Sequence, residues 1–328
     1  MDKFRGSLLA GAVGDALGGA VEFEHIDAIR ARFGPDGLTD FAPAYGKVGA
    51  ITDDTQMTLF TLEGLVIARK HGTDPLWDVR AAYGRWLHTQ GGPPVRAEGW
   101  LLDEPGLFSQ RAPGTTCLGA LYDRDAFGTT SDHINNSKGC GGVMRAAPVA
   151  LWSEDVDEVF ALAAGTAAIT HGHPSGFLSA GVLAVIVQQV LAGASVLEAA
   201  AEAREELIRW DEHEEQLELL DLAVQLGSRG KRPTPELIET LFGGGWVGEE
   251  ALAIGLLAAL AGESLEDGLL IAVNISGDSD STGSICGNIL GARDGVEGIP
   301  SRWLEGVEMV DLLHRSADEA AGTFGVYG

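Results

Sequence analysis

The sequence predicts an all-α fold, and three observations carry that expectation. Nearly every segment places apolar residues at helical spacing, as in Met57, Leu59, Phe60, Leu62, Leu65, Val66 and Ala68. Alternating apolar and polar residues, the mark of a half-buried strand, are nearly absent. The run Ala251–Leu260 is apolar on all sides and made of small residues, which suits a helix packed closely at the centre of a larger assembly.

Taken in order, the first helix is expected over 2–19, followed by 54–71. Pro75 starts 75–89, which carries Trp77, Tyr83 and Trp86. A helix over 154–170 follows the polar triplet Ser153-Glu154-Asp155, and Pro174 opens 174–193. Ser195 with Glu198 three residues on forms a capping box for 195–209. Further helices are expected over 213–227, 234–242, 248–262, 265–273, 282–292 and 302–320. No linker divides the chain, so residues 1–328 read as one domain of a dozen or so helices. Long irregular segments fall at 34–52, 90–113 and 124–142, and loops of that length in a compact domain usually serve function.

Hydrophobic residues make up 45% of the 328 positions, enough for a sizeable core. The net charge of −26 argues against binding along a nucleic-acid backbone, which needs clustered Lys and Arg. Cys117, Cys140 and Cys286 are too few and too scattered for a disulfide framework or a zinc site, which fits a reducing cytoplasm. The stretch Gly176–Leu197 is uncharged and long enough to span a bilayer, but Gln188 and Gln189 lie within it and no basic cluster flanks it. It reads as a buried central helix, so no membrane association is expected. The small-residue run after Lys3 and Arg5 is interrupted by Asp15 and does not read as a signal peptide.

The chemistry concentrates at two acidic helix starts. In Asn274–Gly283, Asp278 and Asp280 alternate with Ser279, Ser281 and Thr282. One aspartate would cap a helix; two, with hydroxyls between and after them, make an oxygen-rich cup suited to a hard cation, although a generously capped helix has the same composition. Thr52-Asp53-Asp54-Thr55 repeats the pattern after a Gly-rich turn. A third element, Gly14–Glu22, ends a small-residue helix with a carboxylate. Glu22, Asp53, Asp54, Asp278 and Asp280 in one cleft would repel strongly unless divalent cations cancelled the repulsion. Gly139-Cys140-Gly141-Gly142-Val143-Met144 reads either as an anion-cradling turn or as an ordinary tight turn. Thr170-His171-Gly172-His173-Pro174 reads as a helix-end pair or as a ligand-facing motif, and lacks the further ligands a zinc site requires.

These motifs, in this order and spacing, resemble the ADP-ribosylglycohydrolases, from about residue 3 to about residue 295. That family includes the dinitrogenase-reductase-activating glycohydrolase and the ADP-ribosyl-arginine and ADP-ribosyl-serine hydrolases. The resemblance implies a single compact orthogonal multi-helix domain with a dinuclear metal cleft. It implies two Mg²⁺ or Mn²⁺ ions held by Thr52, Asp53, Asp54, Asp278, Asp280 and Ser281, with Glu22 and Asp280 in catalysis. Contacts to the ADP-ribosyl group are implied for Asp15, Ser137, Gly139, Cys140, Gly141, Gly142, Met144 and His171. Cys140 departs from the commoner Asn, Ser281 from Thr, and Ser276 from Gly. The implied reaction is hydrolysis of the bond between ADP-ribose and an acceptor on a protein or a small conjugate, by a monomer. An arginine acceptor is slightly favoured over serine or O-acetyl-ADP-ribose, because Asp36, Asp40, Asp103 and Glu104 are expected to give the loops at 34–52 and 90–113 an acidic rim, although acidity that only keeps the protein soluble has the same composition.

Two other functions compete. Asp278-Ser279-Asp280-Ser281-Thr282 fits the nucleophile motif of haloacid-dehalogenase-type phosphohydrolases. That fold needs an α/β segment and a lysine downstream, and no lysine follows Thr282. A non-catalytic ADP-ribose-binding module would be expected to have lost some of the metal ligands or Glu22, all of which are present.

Overall fold

The computed structural model describes residues 2–95, 98–123 and 127–325. Parts of the irregular segments expected at 90–113 and 124–142, and the two ends of the expected domain 1–328, lie outside the described residues.

The described chain runs through α1 (Asp2–Gly18), α2 (Ile26–Phe33), α3 (Asp53–His71), α4 (Pro75–Thr89), α5 (Thr115–Tyr122), α6 (Val156–Ala168), α7 (Pro174–Leu191) and α8 (Val196–Leu207). It continues through α9 (Glu214–Gly227), α10 (Pro235–Phe242), α11 (Gly248–Ala261), α12 (Leu265–Val273), α13 (Ser279–Asp294), α14 (Ser301–Gly306) and α15 (Val310–Phe324). The strands among the described residues are a two-residue antiparallel ribbon, β1 (Pro43–Ala44) and β2 (Lys47–Val48), inside the first long loop. The all-α expectation is met, and a phosphohydrolase of the α/β type is excluded, because the apolar run before Asp278 is helix α12 and not a strand.

Capping explains most boundaries. Ser195 and Glu198 form the expected reciprocal box at the start of α8, and Asp74, Asp155 and Thr234 each accept a bond from a backbone N–H in the first turn of α4, α6 and α10. Helix α7 is the apolar stretch that has the length of a membrane span, and 94% of it is buried inside the protein. It packs against α6, α8, α11 and α13.

Several elements differ from expectation. Helix α13 begins at Ser279, three residues earlier than its apolar spacing suggested, because the Asp278 side chain accepts from Ser281 N and serves as its cap. The single helix expected over 302–320 is two. Val307 is extended and Met309 takes φ 60°, while Glu308 between them donates its N–H to Gly49 O and takes Arg111 and Lys47 on its carboxylate. Helices α2 and α5 were not expected, since eight residues show too few turns for periodicity to register.

The packing that matters most for function joins α1 to α13. The two cross at a line of small residues: a Cβ on Gly14 would lie 2.0 Å from Gly283 O, and one on Gly18 would lie 2.1 Å from Ser279 O. Only glycine allows backbones so close. The contact brings the end of α1, which leads to Glu22, beside the start of α13, which carries Asp278 and Asp280.

Candidate active site

Three chain segments meet at a cavity of about 330 Å³. The first is the turn after α1, where Glu22 N donates to Gly18 O and Phe23 N to Gly277 O. The second is the start of α3. Here the Thr52 side chain accepts from Asp54 N at 3.2 Å, Asp53 N donates to Arg111 O, and Asp53 Oδ2 accepts from Gly114 N at 3.1 Å. The third is the start of α13, held by Asp278 N donating to Gly244 O at 2.8 Å. Gly277 makes that approach possible: its φ is 148°, and a Cβ there would lie 2.1 Å from Gly244 O.

Glu22, Asp53, Asp54, Asp278, Asp280 and Ser281 all line the cavity, as do Gly139, Cys140, Gly141, Met144 and His171. Among the described lining residues none is Lys or Arg. One carboxylate oxygen each from Glu22, Asp278 and Asp280 lies within 4.8 Å of the other two. Such crowding shifts every member upward. Burial, then the charges of Asp280 and Asp278, pushes the Glu22 carboxyl up to about 11. Burial raises Asp53, Asp54, Asp278 and Asp280, and the Asp280 charge adds to the first two. Glu22 Oε2 and Asp54 Oδ2 are buried with no hydrogen-bond partner. Buried anionic oxygens without donors or cationic neighbours are the arrangement that a cation completes, so the residues present fit an oxygen-ligated metal.

Four residues expected at the site do not line the cavity. Asp15 lies fully buried behind it, accepting from Thr52 N, Thr55 N and the Thr55 hydroxyl. Its carboxylate ties α1 to the start of α3, a positioning role in place of the expected substrate contact; burial and the Asp280 charge raise it to about 7. Ser137 accepts from Gly139 N and meets the Thr116 hydroxyl, shaping the loop from behind. Gly142 is enclosed between Gly176 O and Ala167, and Thr52 is buried with its hydroxyl on Asp54 N.

The Gly-rich segment forms a short 3₁₀ turn, Cys140–Gly142. It is pinned by Cys140 N donating to Trp246 O and by Gly248 N donating to Lys138 O. Cys140 Sγ donates to Asp278 Oδ2 at 2.7 Å, so the residue that departs from the family pattern bonds directly to the acidic cluster.

The acidic rim is corrected. Asp36 lines a separate cavity with Arg30 and Arg232; Asp103 and Glu104 line another with Arg315. Asp40 accepts from Trp303 Nε1. The mouth is formed instead by the end of the irregular segment expected at 90–113, by the first turn of a helix that was not expected, and by two aromatic residues that carried no signal in the sequence. Phe23 and Trp246 stack at 5.3 Å and 19°, both exposed, and Ala112 to Thr116 run into the first turn of α5. The dipeptide Pro113-Gly114 before Thr115-Thr116 was the available sign of a helix start.

The fold and this acidic chamber, together with the likenesses that follow, place the protein among the hydrolases of glycosyl bonds. The chain belongs to the ADP-ribosylglycohydrolase family, whose model matches residues 1–327. It is similar to the ADP-ribosyl-[dinitrogen reductase] glycohydrolase of Rhodospirillum rubrum, at 28% identity over 94% of this chain and 91% of that protein. It is also similar to the ADP-ribosylarginine hydrolase Tri1 of Serratia proteamaculans, at 24% identity over 97% of this chain and 79% of that one. A solved structure described as an ADP-ribosylglycohydrolase-related protein complex superposes with a TM-score of 0.72 and 26% identity, covering 98% of both chains.

Proposed function

We propose that the protein hydrolyses the bond between ADP-ribose and an acceptor in a divalent-cation-dependent reaction, with arginine as the favoured acceptor. The observation that carries this reading is the convergence of Glu22, Asp278 and Asp280 oxygens within 4.8 Å of one another on a cavity with no Lys or Arg among its described lining residues. Asp53, Asp54, Asp278, Asp280 and Ser281 on the cavity wall, with Thr52 adjoining them from behind through the free lone pair of its hydroxyl, are the residues that would hold two Mg²⁺ or Mn²⁺ ions, their donors being oxygens throughout. Bound there, the ions would supply charge neutralisation, orientation of the ribose hydroxyls and a more acidic water.

The chain's own residues supply the rest. Glu22 reaches the cluster from a different segment than the aspartates, and its Oε2 is free of hydrogen bonds. With cations cancelling the neighbouring charges that hold its own proton, it is the group placed to take the proton of the attacking water at that oxygen and return it to the departing acceptor atom, as the bond to the anomeric carbon breaks with oxocarbenium character and leaves free ADP-ribose. The Gly139–Gly141 turn and His171 face the cavity, where they can meet the ADP-ribose half. Phe23 and Trp246 at the mouth are left for the acceptor. A guanidinium is favoured by an acidic chamber and by stacked aromatic faces, and the relative from Serratia is named for arginine.

The test is a panel of defined substrates, arginine-linked and serine-linked ADP-ribosyl peptides and O-acetyl-ADP-ribose, each with Mg²⁺ or with chelator. Faster release of ADP-ribose from the arginine linkage, abolished by chelator, is expected. Preference for another linkage overturns the acceptor, and full activity under chelation overturns the cation dependence.

A further inference from the structure

Beneath the cavity lies a buried charge with no place among the groups that face it. Arg145 is wholly enclosed. Its contacts are Met57 Sδ at 3.4 Å, Cys117 Sγ at 3.3 Å, Thr166 O at 3.4 Å and Thr170 Oγ1 at 2.6 Å, with its guanidinium 4.3 Å from the centre of the Tyr83 ring. Among the described residues no carboxylate pairs with it, and its Nε has no partner. A guanidinium does not shed its proton in a protein, and enclosing one without an anion is costly. Such a charge is retained where something uses its field or its hydrogen bonds.

The shortest contact shows the use. Arg145 Nη2 occupies a lone pair of the Thr170 hydroxyl, which leaves that hydroxyl to donate its own hydrogen. Two acceptors are near, His171 Nδ1 at 2.8 Å and Ala167 O at 3.3 Å. The shorter distance favours His171, and so does the cation: a positive charge on that side of the ring attracts the Nδ1 lone pair and repels an Nδ1–H. The imidazole hydrogen then sits on Nε2. That atom faces the Gly-rich turn, where a Cβ on either Gly139 or Gly141 would come within 3.2 Å of it. Both positions being glycine, the Nε2–H keeps a way into the cavity, which His171 lines.

We infer that Arg145 and Thr170 are positioning residues that fix His171 in the Nε2–H tautomer, a neutral donor aimed at an anionic oxygen of the diphosphate class. Burial, then the Arg145 charge, also pushes His171 down to about 3, so the ring stays a neutral donor at working pH. The ligand part of this inference rests on the ADP-ribose reading; the tautomer does not.

The experiments separate the two. Long-range ¹H–¹⁵N correlation spectra of the wild-type protein without ligand should show His171 protonated on Nε2. Protonation on Nδ1 overturns the proposal, whatever the substrate. Thr170→Val removes the hydroxyl at nearly constant volume, and Thr170→Ser restores it. The valine variant should lose the tautomer preference and bind free ADP-ribose about tenfold more weakly, the scale of a lost hydrogen bond to a charged group. Its kcat should fall less than its KM rises, and the serine variant should recover both. A valine variant with unaltered tautomer and affinity overturns the proposal; if valine prevents folding, the wild-type spectrum still decides it. Absence of ADP-ribose binding by the wild type would count against the functional reading alone.

Discussion

The Asp15 carboxylate accepts one bifurcated hydrogen bond from Thr52 N, its two oxygens at 3.0 and 3.1 Å, and so joins the last turns of α1 to the residue that caps α3. It also takes Thr55 N at 3.1 Å and the Thr55 hydroxyl. One buried side chain thereby orients Asp53 and Asp54 without touching the cavity. Asp15→Ala leaves those buried donors unpaired, and a loss of about 3 kcal/mol or more is expected. Calorimetry with and without Mg²⁺ checks this, since the stabilisation by Mg²⁺ should shrink as well. An Mg²⁺ response equal to wild type would show that Asp15 does not order the acidic helix start.

Glu22→Gln keeps the shape of the side chain and removes the charge. Turnover should fall by about a hundredfold or more, the scale of a lost acid–base group. The melting temperature of the metal-free protein should stay level or rise, because one member of a repelling cluster is gone. A large drop in melting temperature with unchanged turnover would assign Glu22 to structure.

The raised carboxylates fix the sign of the pH dependence without metal. Glu22 at about 11, Asp15 at about 7 and their neighbours hold protons in the folded state that the unfolded chain has released above the usual carboxylate range. Where the folded state binds more protons, stability falls as pH rises. Metal-free protein should therefore lose stability from about pH 5 to pH 8, and Mg²⁺ should restore it while releasing protons. Melting curves in chelator and in Mg²⁺ across that range, with proton release measured by calorimetry in two buffers, check both halves. Stability that climbs with pH in chelator contradicts the arrangement.

Gly14→Ala places a methyl group where 2.0 Å separates it from Gly283 O, so α1 must move off α13. A cost of about 1–3 kcal/mol is expected from such overpacking. Because Glu22 sits on the turn that α1 leads into and Asp280 sits in the first turn of α13, turnover should fall further than global stability explains. Activity assayed well below the melting temperature separates the two effects.

Trp246→Ala removes one face of the exposed Phe23–Trp246 stack. KM for an arginine-linked substrate should rise about three- to tenfold, the range of a cation–π contact, with little change in the affinity for free ADP-ribose. Equal losses for both ligands would move the aromatic pair to the ADP-ribose side.

The sequence by itself determined the fold class, since helical periodicity and caps such as Ser195 with Glu198 are local properties that packing did not overturn. It also marked the acidic residues of the cavity wall, because two carboxylates with hydroxyls at each of two helix starts exceed what capping requires. It could not give the roles of Asp15, Phe23, Trp246 or Arg145. Asp15 reads as one more acid beside a Gly-rich turn, and only the crossing of α1 with α3 shows that its oxygens are taken by backbone donors. Asp36, Asp40, Asp103 and Glu104 read as a rim because charge in a loop carries no direction; the fold sends them to other surfaces. Phe23 and Trp246 lie more than two hundred residues apart, and they meet because Gly277 lets the chain before α13 approach Gly244. Periodicity reports which face of a helix is buried. Which residues share a cavity is decided by how closely the helices cross, and here that distance is set by glycines on α1 and α13.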